Sequence, residues 1–397
     1  MTDLYLLEPS PSPNWYPYYH SRPLAELRAG AWLVRERWEA VADGEAAALF
    51  AEPHLHAFRE DAGPKVEAER SVDGPAIVGR SDFVPAGAQF DLPTEPVRLE
   101  NDGMTVGWYV SNGTQWDRSI DTDDWSPVEI DGILLHGAYD LLTALELFLV
   151  ADTLDFTANA GDPLPDGSTV IGDPHDVVIL GARVEPGVTF DVRAGAVVVE
   201  QHAYVKGGTR FEGPVYVGPG TEVLGGCIGW SSFGPRCRVR GEITHCAFVG
   251  YANKAHDGFL GHSVVGRWVN LGASTQTSNL KNTYGKIRLE VEQVPLETER
   301  QFLGTLFGDH VKTAIGTLLG TGTVVGFGAN VFGDVRPPKY IGPLAWGDTQ
   351  ELTRKEGFLA TAERVMPRRN VPVDDEVKEM LGAFYENAVA GEAHRTR

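Results

Sequence analysis

The sequence predicts an α/β N-terminal domain, a parallel β-helix and a short C-terminal helical tail. Its 397 residues exceed the usual size of a single domain. Strand-like and helix-like segments alternate up to about residue 160, and from about Thr169 bulky apolar residues recur at every sixth position. Near the C-terminus the apolar spacing becomes helical. We therefore expect domains at residues 1–160 and 168–346 and helices over residues 347–397.

Several short segments define the N-terminal domain. We expect an apolar strand at residues 4–7, a helical stretch at 23–41 and a strand at 104–110. The apolar stretch 133–154 is interrupted by His136, Asp140, Glu146 and Asp152, which predicts an amphipathic helix and excludes a membrane span. The Gly/Pro-rich segment 161–167 is expected to be the loop that ends the domain.

A period of six residues marks the second region. The apolar positions at this spacing are Val205, Phe211, Val217, Val223, Phe233, Val239, Phe259, Val265, Leu271, Ile315, Thr321 and Phe327. This period fits neither an α-helix nor an alternating strand, and it is typical of a parallel β-helix whose apolar residues point inward. Glycines that follow several of them, such as Gly218 and Gly316, let the chain turn at corners. Residues 280–312 lose the period and predict an excursion from the coil.

The tail is predicted to contain two helices. Asp348 and Glu351 resemble a capping box ahead of the first helix, and Pro367 is expected to end it. The apolar face of the second helix consists of Val377, Met380, Leu381, Phe384 and Ala388. We expect the two helices to cap the end of the β-helix or to pack on a neighbouring subunit.

Composition narrows the class of protein. The net charge of −21 disfavours general binding to nucleic acids or anionic membranes, whose phosphates need a basic surface. Residues 1–8 lack the basic and then apolar pattern of a secretory signal, so a cytoplasmic protein is expected. Cys227, Cys237 and Cys246 form no CxxC pair, which points to free, buried thiols.

A polar stretch interrupts the apolar pattern of the β-helix. It contains Lys254, His256, Asp257 and His262, and the amide-rich segment 269–282 follows. A histidine near its ordinary pKa suits a general base, and Lys and Arg suit the binding of a phosphate. One interpretation is an acyl-transfer site between coils. The other is a hydrogen-bonded histidine at a corner beside a ladder of asparagines.

Residues 256–279 resemble the acetyltransferase half of the bifunctional bacterial family of N-acetylglucosamine-1-phosphate uridylyltransferase/glucosamine-1-phosphate acetyltransferase. The similarity runs without a gap from His256 through Leu260 and Gly261 to Asn270 and Asn279. The resemblance implies a left-handed β-helix that forms a trimer. In such a trimer, acetyl-CoA and an amino-sugar 1-phosphate meet in clefts between subunits, on the route to UDP-N-acetylglucosamine and the cell wall.

The resemblance also implies roles for individual residues. His256 would be the general base that deprotonates the sugar amine, with Asn279 beside it to orient the substrate or stabilise the oxyanion. Arg240, in the basic segment 233–241, and Lys254 would bind the sugar phosphate. Asn270 would contact the sugar.

The pantetheine arm of acetyl-CoA would contact Ala273 and Thr275, according to the same resemblance. The sequence departs from the family pattern nearby. Phe259 and Leu280 stand where the family has tyrosines, and Ser274 stands in place of a glycine. These departures affect the identity of the acceptor more than the fold.

The N-terminal region departs further from that family. It lacks the Gly-rich loop whose amides cradle nucleotide phosphates. Segments 5–9 and 20–30, together with 279–285, instead resemble a divergent branch of sugar nucleotidyltransferases joined to the same β-helix. Arg22, Glu26 and Arg28 belong to the signature of that branch.

A nucleotide site in this region has only a few candidate residues. Arg22 and Arg28 would grip a triphosphate, and Asp102 or Asp131 is a candidate ligand of Mg²⁺, although no metal site is assigned. Lys65 is the only lysine before residue 160, so a basic lining would be thin. The alternative is that both arginines form structural ion pairs.

These observations predict an enzyme of sugar-nucleotide biosynthesis. The β-helix would transfer an acetyl group from acetyl-CoA to an amino-sugar 1-phosphate. The divergent nucleotidyltransferase-like domain would transfer a nucleotidyl group to a sugar 1-phosphate with Mg²⁺. We expect small-molecule partners, a homotrimer, and no binding to nucleic acid or membrane. Two alternatives stay open: a nucleotidyltransferase with a purely structural or regulatory β-helix, and a non-catalytic assembly module.

Overall fold

The computed structural model describes residues 2–60, 63–87, 92–159, 161–349 and 351–395. It confirms the predicted order of an N-terminal domain of mixed sheet and helix, a parallel β-helix and C-terminal helices. The left hand of the β-helix and the trimer stay predictions from the resemblance.

The N-terminal domain is built around one seven-stranded sheet. Its elements are β1 (Asp3–Leu7), β2 (Arg28–Ala29), β3 (Trp32–Leu33), α1 (Val34–Ala42), β4 (Ala46–Phe50), β5 (Lys65–Glu67), β6 (Val72–Asp73), β7 (Ala76–Arg80), β8 (Phe83–Pro85), β9 (Val97–Asn101), β10 (Met104–Val110), β11 (Gln115–Trp116), β12 (Ser126–Glu129), β13 (Gly132–Leu134) and α2 (Leu141–Asp155). The strand order is β12-β9-β10-β7-β1-β4-β5. Strand β1 is parallel to both β4 and β7, and β10 runs antiparallel to β7.

The helix α1 covers one face of this sheet through Trp38, which is fully buried. A Cβ atom at Gly79 would lie 2.7 Å from the Trp38 ring, and one at Gly107 would lie 3.2 Å from it. The two glycines on neighbouring strands therefore make room for the indole. The helix accordingly packs closer to the sheet than larger residues would allow.

Two predicted helices begin later than the sequence indicated. Residues 23–41 contain a 3₁₀ turn, the hairpin of β2 and β3, and only then α1 from Val34. Gly30, with φ +76°, forms the turn of that hairpin. In the stretch 133–154, the first residues pair with β8 as strand β13, and the helix starts at Leu141. The strands predicted at 4–7 and 104–110 are confirmed as β1 and β10.

The β-helix follows from β14 onward. Its strands are β14 (Thr169–Ile171), β15 (Val177–Ile179), β16 (Arg183–Val184), β17 (Thr189–Asp191), β18 (Val197–Val199), β19 (Tyr204–Val205), β20 (Thr209–Val217), β21 (Glu222–Phe233), β22 (Arg238–Thr244), β23 (Ala247–Phe248), β24 (Asn253–Lys254), β25 (Phe259–Gly261), β26 (Val264–Val265), β27 (Gln276–Thr277), β28 (Arg288–Val291), β29 (Val294–Glu297), β30 (Thr305–Phe307), β31 (Lys312–Thr313), β32 (Leu318–Leu319), β33 (Thr323–Val325), β34 (Asn330–Val331) and β35 (Tyr340–Ile341). Strands of successive coils pair in parallel and form three faces.

We name the faces by the coil that contains β23, β24 and β25. Face A contains β23, β26 and β30, and face B contains β24 and β31. Face C contains β25 and the second half of β22. The long strands β20, β21 and β22 turn a corner and contribute to two or three faces.

The interior of the β-helix follows the predicted period up to Leu271 with one exception, and the phase changes afterwards. Phe259 is only half-buried, and its neighbour Leu260 takes the inward position. Ile315 is 78 % exposed. The inward residues of the last coils are Thr313, Leu319, Val325 and Val331. The insertion before β30 shifts the register by two residues, so the predicted inward positions of Ile315, Thr321 and Phe327 are wrong.

The predicted excursion from the coil is confirmed and is shorter than expected. Strands β28 and β29 pair as an antiparallel hairpin outside the coil. Its Leu289 and Val291 are buried on the side that faces the rest of the protein. The chain returns to face A at Thr305, so residues 305–312 already belong to a regular coil.

The tail forms α3 (Lys355–Val365) and α4 (Asp375–Arg395). Helix α3 starts after Arg354, which corrects the predicted start at Asp348, and it ends two residues before Pro367. The helices pack along the side of the β-helix. Phe358 of α3 lies 5.2 Å from Phe327, measured between ring centroids. Phe384 of α4 lies 6.4 Å from Phe58 of the N-terminal domain.

Buried ion pairs join the N-terminal domain to the β-helix. Arg22 bridges Glu60, 2.6 Å away, and Asp309 of the β-helix, 3.0 Å away. Arg267 reaches the same Glu60 at 2.9 Å. Because Arg22 is 1 % exposed, its charge is stabilised by these carboxylates rather than by water.

Two further predictions concern a membrane-spanning helix and the state of the cysteines. No helix among them combines the length and the apolar character needed to cross a membrane. The three cysteines are free thiols; Cys237 and Cys246 are buried, and Cys227 is half-buried.

Candidate functional sites

A cavity lies at the carboxyl ends of β1 and β7, the neighbouring strands between which the order of the sheet reverses. Open α/β sheets bind ligands at this switch point. The cavity has a volume of about 380 Å³ and is lined by the loop from Leu7 to Ser10, by Arg80, by Trp108 of β10 and by residues of the segment 116–122. We call it the sheet cavity.

Aromatic rings and two arginines line the sheet cavity. The Trp108 and Trp116 ring centroids are 4.9 Å apart. Arg80 is held by both carboxylate oxygens of Asp82 at 2.8 and 2.9 Å. Arg118 is about half exposed; it pairs with Glu69 at 2.6 Å and also donates to the carbonyl of Glu8. Arg118 is therefore the cation best able to swing towards an anionic ligand.

Glu8 follows β1 directly and lines the same cavity. Its carboxylate accepts hydrogen bonds from the backbone N–H groups of Leu24 and Ala25 at 2.9 and 3.3 Å. Burial raises the pKa of Glu8 to about 7, although these hydrogen bonds act in the opposite direction. The loop after β1 therefore carries a carboxyl group that changes charge near neutral pH.

The described residues do not preform a site for Mg²⁺. No group of three His, Cys, Asp or Glu side chains among them could hold a metal ion. Asp82 is occupied by Arg80, and Glu8 by backbone amides. Asp102 lies in the turn between β9 and β10, and neither Asp102 nor Asp131 lines the sheet cavity.

Arg22 and Arg28 lie away from the sheet cavity, at the junction with the β-helix. Arg22 donates from Nε and both terminal nitrogens to Glu60 and Asp309. Arg28 is 5 % exposed, bonds the carbonyl of Ala31, and stands over the Tyr216 ring at 5.6 Å. Arg22 thus has the structural ion pairs that the sequence left open as the alternative. Arg28 has a backbone hydrogen bond and a cation–π contact, and it forms no ion pair with a described residue.

Most candidates for acetyl transfer share one corner of the β-helix, between faces B and C. Arg240 pairs with Asp257 of the next coil at 2.9 Å. The ammonium of Lys254 donates to the carbonyls of Arg240 and His256 at 3.0 and 2.5 Å. His256 is exposed, and its ring has no hydrogen-bond partner among the described residues. We call this region the basic corner.

Lys254 is the unusual member of the basic corner. It pairs in register with Val239, so it occupies an inward position of the coil. It is 2 % exposed, and burial lowers its pKa to about 8. Its ammonium binds backbone carbonyls in this arrangement, and its contact with a sugar phosphate stays a prediction.

The next coil places the predicted cofactor contacts directly beside the basic corner. The backbone N–H of Ser274 donates to the carbonyl of Asp257 at 3.1 Å. Ala273, one residue earlier, is half-buried. The hydroxyl of Thr275 is buried against Thr313 at 2.8 Å, so its side chain faces the interior. Asn270 lies outward on face B and accepts from Asn253 at 2.7 Å.

Asn279 lies at a different corner, between faces C and A. Its amide is 2.9 Å from Nδ1 of His262, and within one chain it makes no contact with His256. Four rings stack along this corner, and His262 lies 4.4 Å from His245 and 5.1 Å from Phe302. Trp230 extends the stack at 5.5 Å from His245. We call it the stacked corner.

Desolvation controls the histidines of the stacked corner. It lowers the pKa of His262 to about 3 and also lowers the pKa of His245. Trp230, His245 and His262 all have positive φ, between 45° and 52°, because each stands at the turn from face C to face A. Their spacing in the sequence, 15 and 17 residues, is the length of one coil and could have revealed the stack.

The sheet cavity was missed from the sequence. Its residues come from the ends of β1 and β7, from β10 and from the segment after β10. These segments lie far apart along the chain. The one available signal was the short strand β1 followed by Glu8 and the Pro-rich loop, which marks the carboxyl end of a strand.

Two comparisons relate the chain to known proteins, and the first of them falls in the N-terminal domain. Residues 6–89 match the family model described as sugar nucleotidyl transferase. The chain is also 28 % identical over 91 residues to a bifunctional sugar-1-phosphate nucleotidylyltransferase/acetyltransferase of Sulfurisphaera tokodaii. That alignment covers 23 % of this chain and 23 % of the relative.

Proposed function

We propose that the protein is a transferase of sugar-nucleotide biosynthesis whose N-terminal domain transfers a nucleotidyl group to a sugar 1-phosphate at the sheet cavity. The proposal rests on the position of the segment that matches the family model. The segment 6–89, which matches the sugar nucleotidyl transferase family, contains the last two residues of β1 and all of β4 and β7, and the sheet cavity opens at the ends of β1 and β7.

The lining of the sheet cavity suits this chemistry. Trp108, which is half-buried, offers an apolar ring face to a nucleobase, and the fully buried Trp116 supports that ring from behind. Arg118 offers a cation to the phosphates. In the reaction, an oxygen of the sugar phosphate attacks the α-phosphorus of the nucleoside triphosphate. A new P–O bond forms, the bond to the bridging oxygen breaks, and pyrophosphate leaves. Arg118 would stabilise the charge that develops on the phosphoryl oxygens.

The experiment measures pyrophosphate release from each nucleoside triphosphate with a panel of sugar 1-phosphates. Arg118→Gln should lower kcat/KM by about 10- to 100-fold because it removes a cation that stabilises the transition state. Lys65→Gln, on an exposed side chain outside the cavity, is the matched control. No pyrophosphate release by the wild-type protein, or equal activity of both variants, would contradict the proposal.

A second activity, acetyl transfer at the basic corner, is favoured by a separate observation. Arg240, His256 and Asp257 lie together at an exposed edge, and the Ala273–Thr275 turn follows in the next coil. His256 would take a proton from the sugar amine while the amine nitrogen forms a bond with the carbonyl carbon of the acetyl group. Acetyl-CoA supplies the thioester, whose C–S bond breaks. Arg240 would release the carboxylate of Asp257 and bind the sugar phosphate.

This second activity is tested by release of free CoA thiol from acetyl-CoA with glucosamine 1-phosphate. His256→Ala should reduce the rate at least 100-fold because it removes the general base. His175→Ala removes another exposed histidine, far from the basic corner, and should leave the rate unchanged. If the wild-type protein releases no thiol with several amino-sugar phosphates, the β-helix is structural or regulatory.

A further inference from the structure

A groove separates face B of the last coils from helix α3. Its volume is about 430 Å³, within the usual range for small-molecule sites. It is distinct from the sheet cavity, which lies in the N-terminal domain, and shares no lining residue with it. We call it the tail groove.

The floor of the tail groove is a column of three outward side chains on successive coils. Lys312 pairs with Asn330, and Asn330 pairs with Trp346. Neighbouring strands are about 4.8 Å apart, so the column spans about 10 Å from the ammonium to the indole. Trp346 is 43 % exposed and lines the groove, so part of its ring is open to a ligand.

The wall of the groove is one face of α3. Arg354, Gly357, Thr361 and Arg364 line it at helical spacing, and Phe358 forms its base. Over ten residues this face is about 15 Å long. The wall thus has an arginine at each end. It is longer than the floor by about one helical turn.

The direction of α3 decides which arginine lies near which end of the floor. The helix starts where the backbone N–H of Thr353 bonds the carbonyl of Leu344, near the coil of Trp346. It ends near Met366, which lines a cavity with Trp268 of an earlier coil. Arg364 therefore lies towards the Lys312 end, and Arg354 towards the Trp346 end.

The charges of the groove are not neutralised by the protein. Among the described residues, Lys312, Arg354 and Arg364 make no ion pair with a carboxylate. Burial lowers the pKa of Lys312 to about 8, and its ammonium bonds the carbonyl of His310 at 2.8 Å. Three unpaired cations in one groove stand out in a chain of net charge −21.

One carboxylate also lines the groove. Glu351 follows Trp346 closely, and its carbonyl accepts a hydrogen bond from the Trp346 backbone at 3.1 Å. It therefore lies at the ring end of the groove and away from Lys312. The groove is therefore polarised: Trp346, Glu351 and Arg354 lie at one end, where the acidic and basic side chains offset each other in charge, and the two cations Lys312 and Arg364 lie at the other.

We propose that the tail groove binds a nucleotide, with its base on Trp346 and its phosphates between Lys312 and Arg364. A planar base stacks on an indole, and phosphates favour Arg and Lys donors. The floor of about 10 Å matches the reach from a base across its ribose to a diphosphate. The nucleotide is either free or the nucleotide end of a larger cofactor such as CoA. The site does not depend on the proposed function.

Quenching of Trp346 fluorescence provides a local readout on the full-length protein. The signal is the difference in quenching between the wild type and Trp346→Phe, which separates this indole from the other tryptophans. ADP, UDP, CoA and inorganic pyrophosphate are titrated without added metal. We expect ADP or UDP to quench Trp346 with a saturable curve, and pyrophosphate to compete at least 10-fold more weakly.

Variants of the wall test the cationic end. Arg354→Gln/Arg364→Gln should weaken nucleotide binding at least 10-fold because it removes Arg364, which donates to the phosphates, and Arg354, the cation of the wall at the Trp346 end. Arg336→Gln/Arg368→Gln removes two exposed arginines outside the groove and should leave binding within 2-fold. Melting temperatures of both double variants confirm that each is folded.

Each result has a defined meaning. CoA binding more than 10-fold tighter than ADP identifies a cofactor as the source of the nucleotide, and equal binding identifies a free nucleotide. Both results support the proposal. Absence of Trp346 quenching, equal binding by the two double variants, or pyrophosphate that competes as well as ADP would overturn it. The last result would leave only an anion site.

Discussion

Two corners of the same β-helix carry histidines in opposite environments. At the basic corner His256 is exposed, and its ring has no partner among the described residues. At the stacked corner, His262 lies between two rings and bonds Asn279, and its pKa falls to about 3. The coil geometry is the same at both places. At the stacked corner the covering rings remove water from the imidazole, and this desolvation disfavours its charged form.

The two corners also differ in whether their side chains serve catalysis or stability. A base must meet its substrate, so it gains from exposure and from the absence of protein partners. A stacked ring gains from burial and contact. We therefore expect substitutions at the basic corner to affect turnover, and substitutions at the stacked corner to affect the free energy of unfolding.

The largest expected effect on stability is that of His262→Ala. The substitution removes a ring from the middle of the stack, together with the hydrogen bond to Asn279. We expect the free energy of unfolding to fall by about 2–3 kcal/mol. Urea denaturation monitored by circular dichroism measures it. The matched substitution His256→Ala should leave the urea midpoint unchanged, and an equal loss in both variants would erase the distinction between the corners.

The pH dependence of stability gives the next effect. The folded-state pKa of His262 lies below its unfolded value of 6.5, so the unfolded chain binds a proton first as the pH falls. Its contribution to stability is present above pH 6.5 and is lost as the pH falls towards 3. Between pH 7 and pH 5 we expect a loss of about 1–2 kcal/mol.

His262→Phe isolates this contribution, because it keeps a ring in the stack and removes the titrating group. Denaturation of wild type and variant at a series of pH values gives the difference. The variant should show a flatter pH profile between pH 7 and 5. Parallel profiles would mean that His262 is protonated in the folded protein and that the stack does not exclude its charged form.

Phe302→Ala tests the end of the same stack. Phe302 is 39 % exposed and contacts His262 on one side only. The expected loss in free energy of unfolding is about 1 kcal/mol, smaller than for His262→Ala because less apolar area is buried there. A larger loss than for His262→Ala would show that the stack is anchored at Phe302. Thermal and urea denaturation both measure it.

The smallest effect on stability is expected at the basic corner itself. Asp257→Asn breaks the pair with Arg240, whose side chains are 74 % and 40 % exposed. Exposed pairs of this kind contribute little, because water and salt screen them. The urea midpoint should stay unchanged. Sugar-phosphate binding should become stronger, since Arg240 is released, and the KM for the acceptor measures it.

The fold was predictable where the sequence is periodic. Rows such as Val205, Phe211 and Val217 repeat with the coil, and each is buried. Prediction failed after the hairpin of β28 and β29, because an insertion can return the chain in another register. Phe327 shows the consequence: it is fully buried, yet it packs outside the coil against α3.

The candidate sites were predictable only in part. His256, Asp257 and Arg240 are close in sequence or one coil apart, and the structure brings them together. Asn279 is also near in sequence, but it lies one coil and one further face after His256, which places it at another corner. The sheet cavity and the tail groove join distant segments, and no local pattern in the sequence records such contacts.

The buried contact of Arg22 with Glu60 and Asp309 bears on how separable the two halves of the chain are. Removal of the first domain would take Arg22 away from Asp309 and would open this junction to water. Apolar residues of the β-helix such as Val264 and Leu306, which share a buried cluster with Tyr18 of the first domain, would then be exposed. Exposed apolar surface of this kind is costly and favours aggregation, so the β-helix is not a free-standing module.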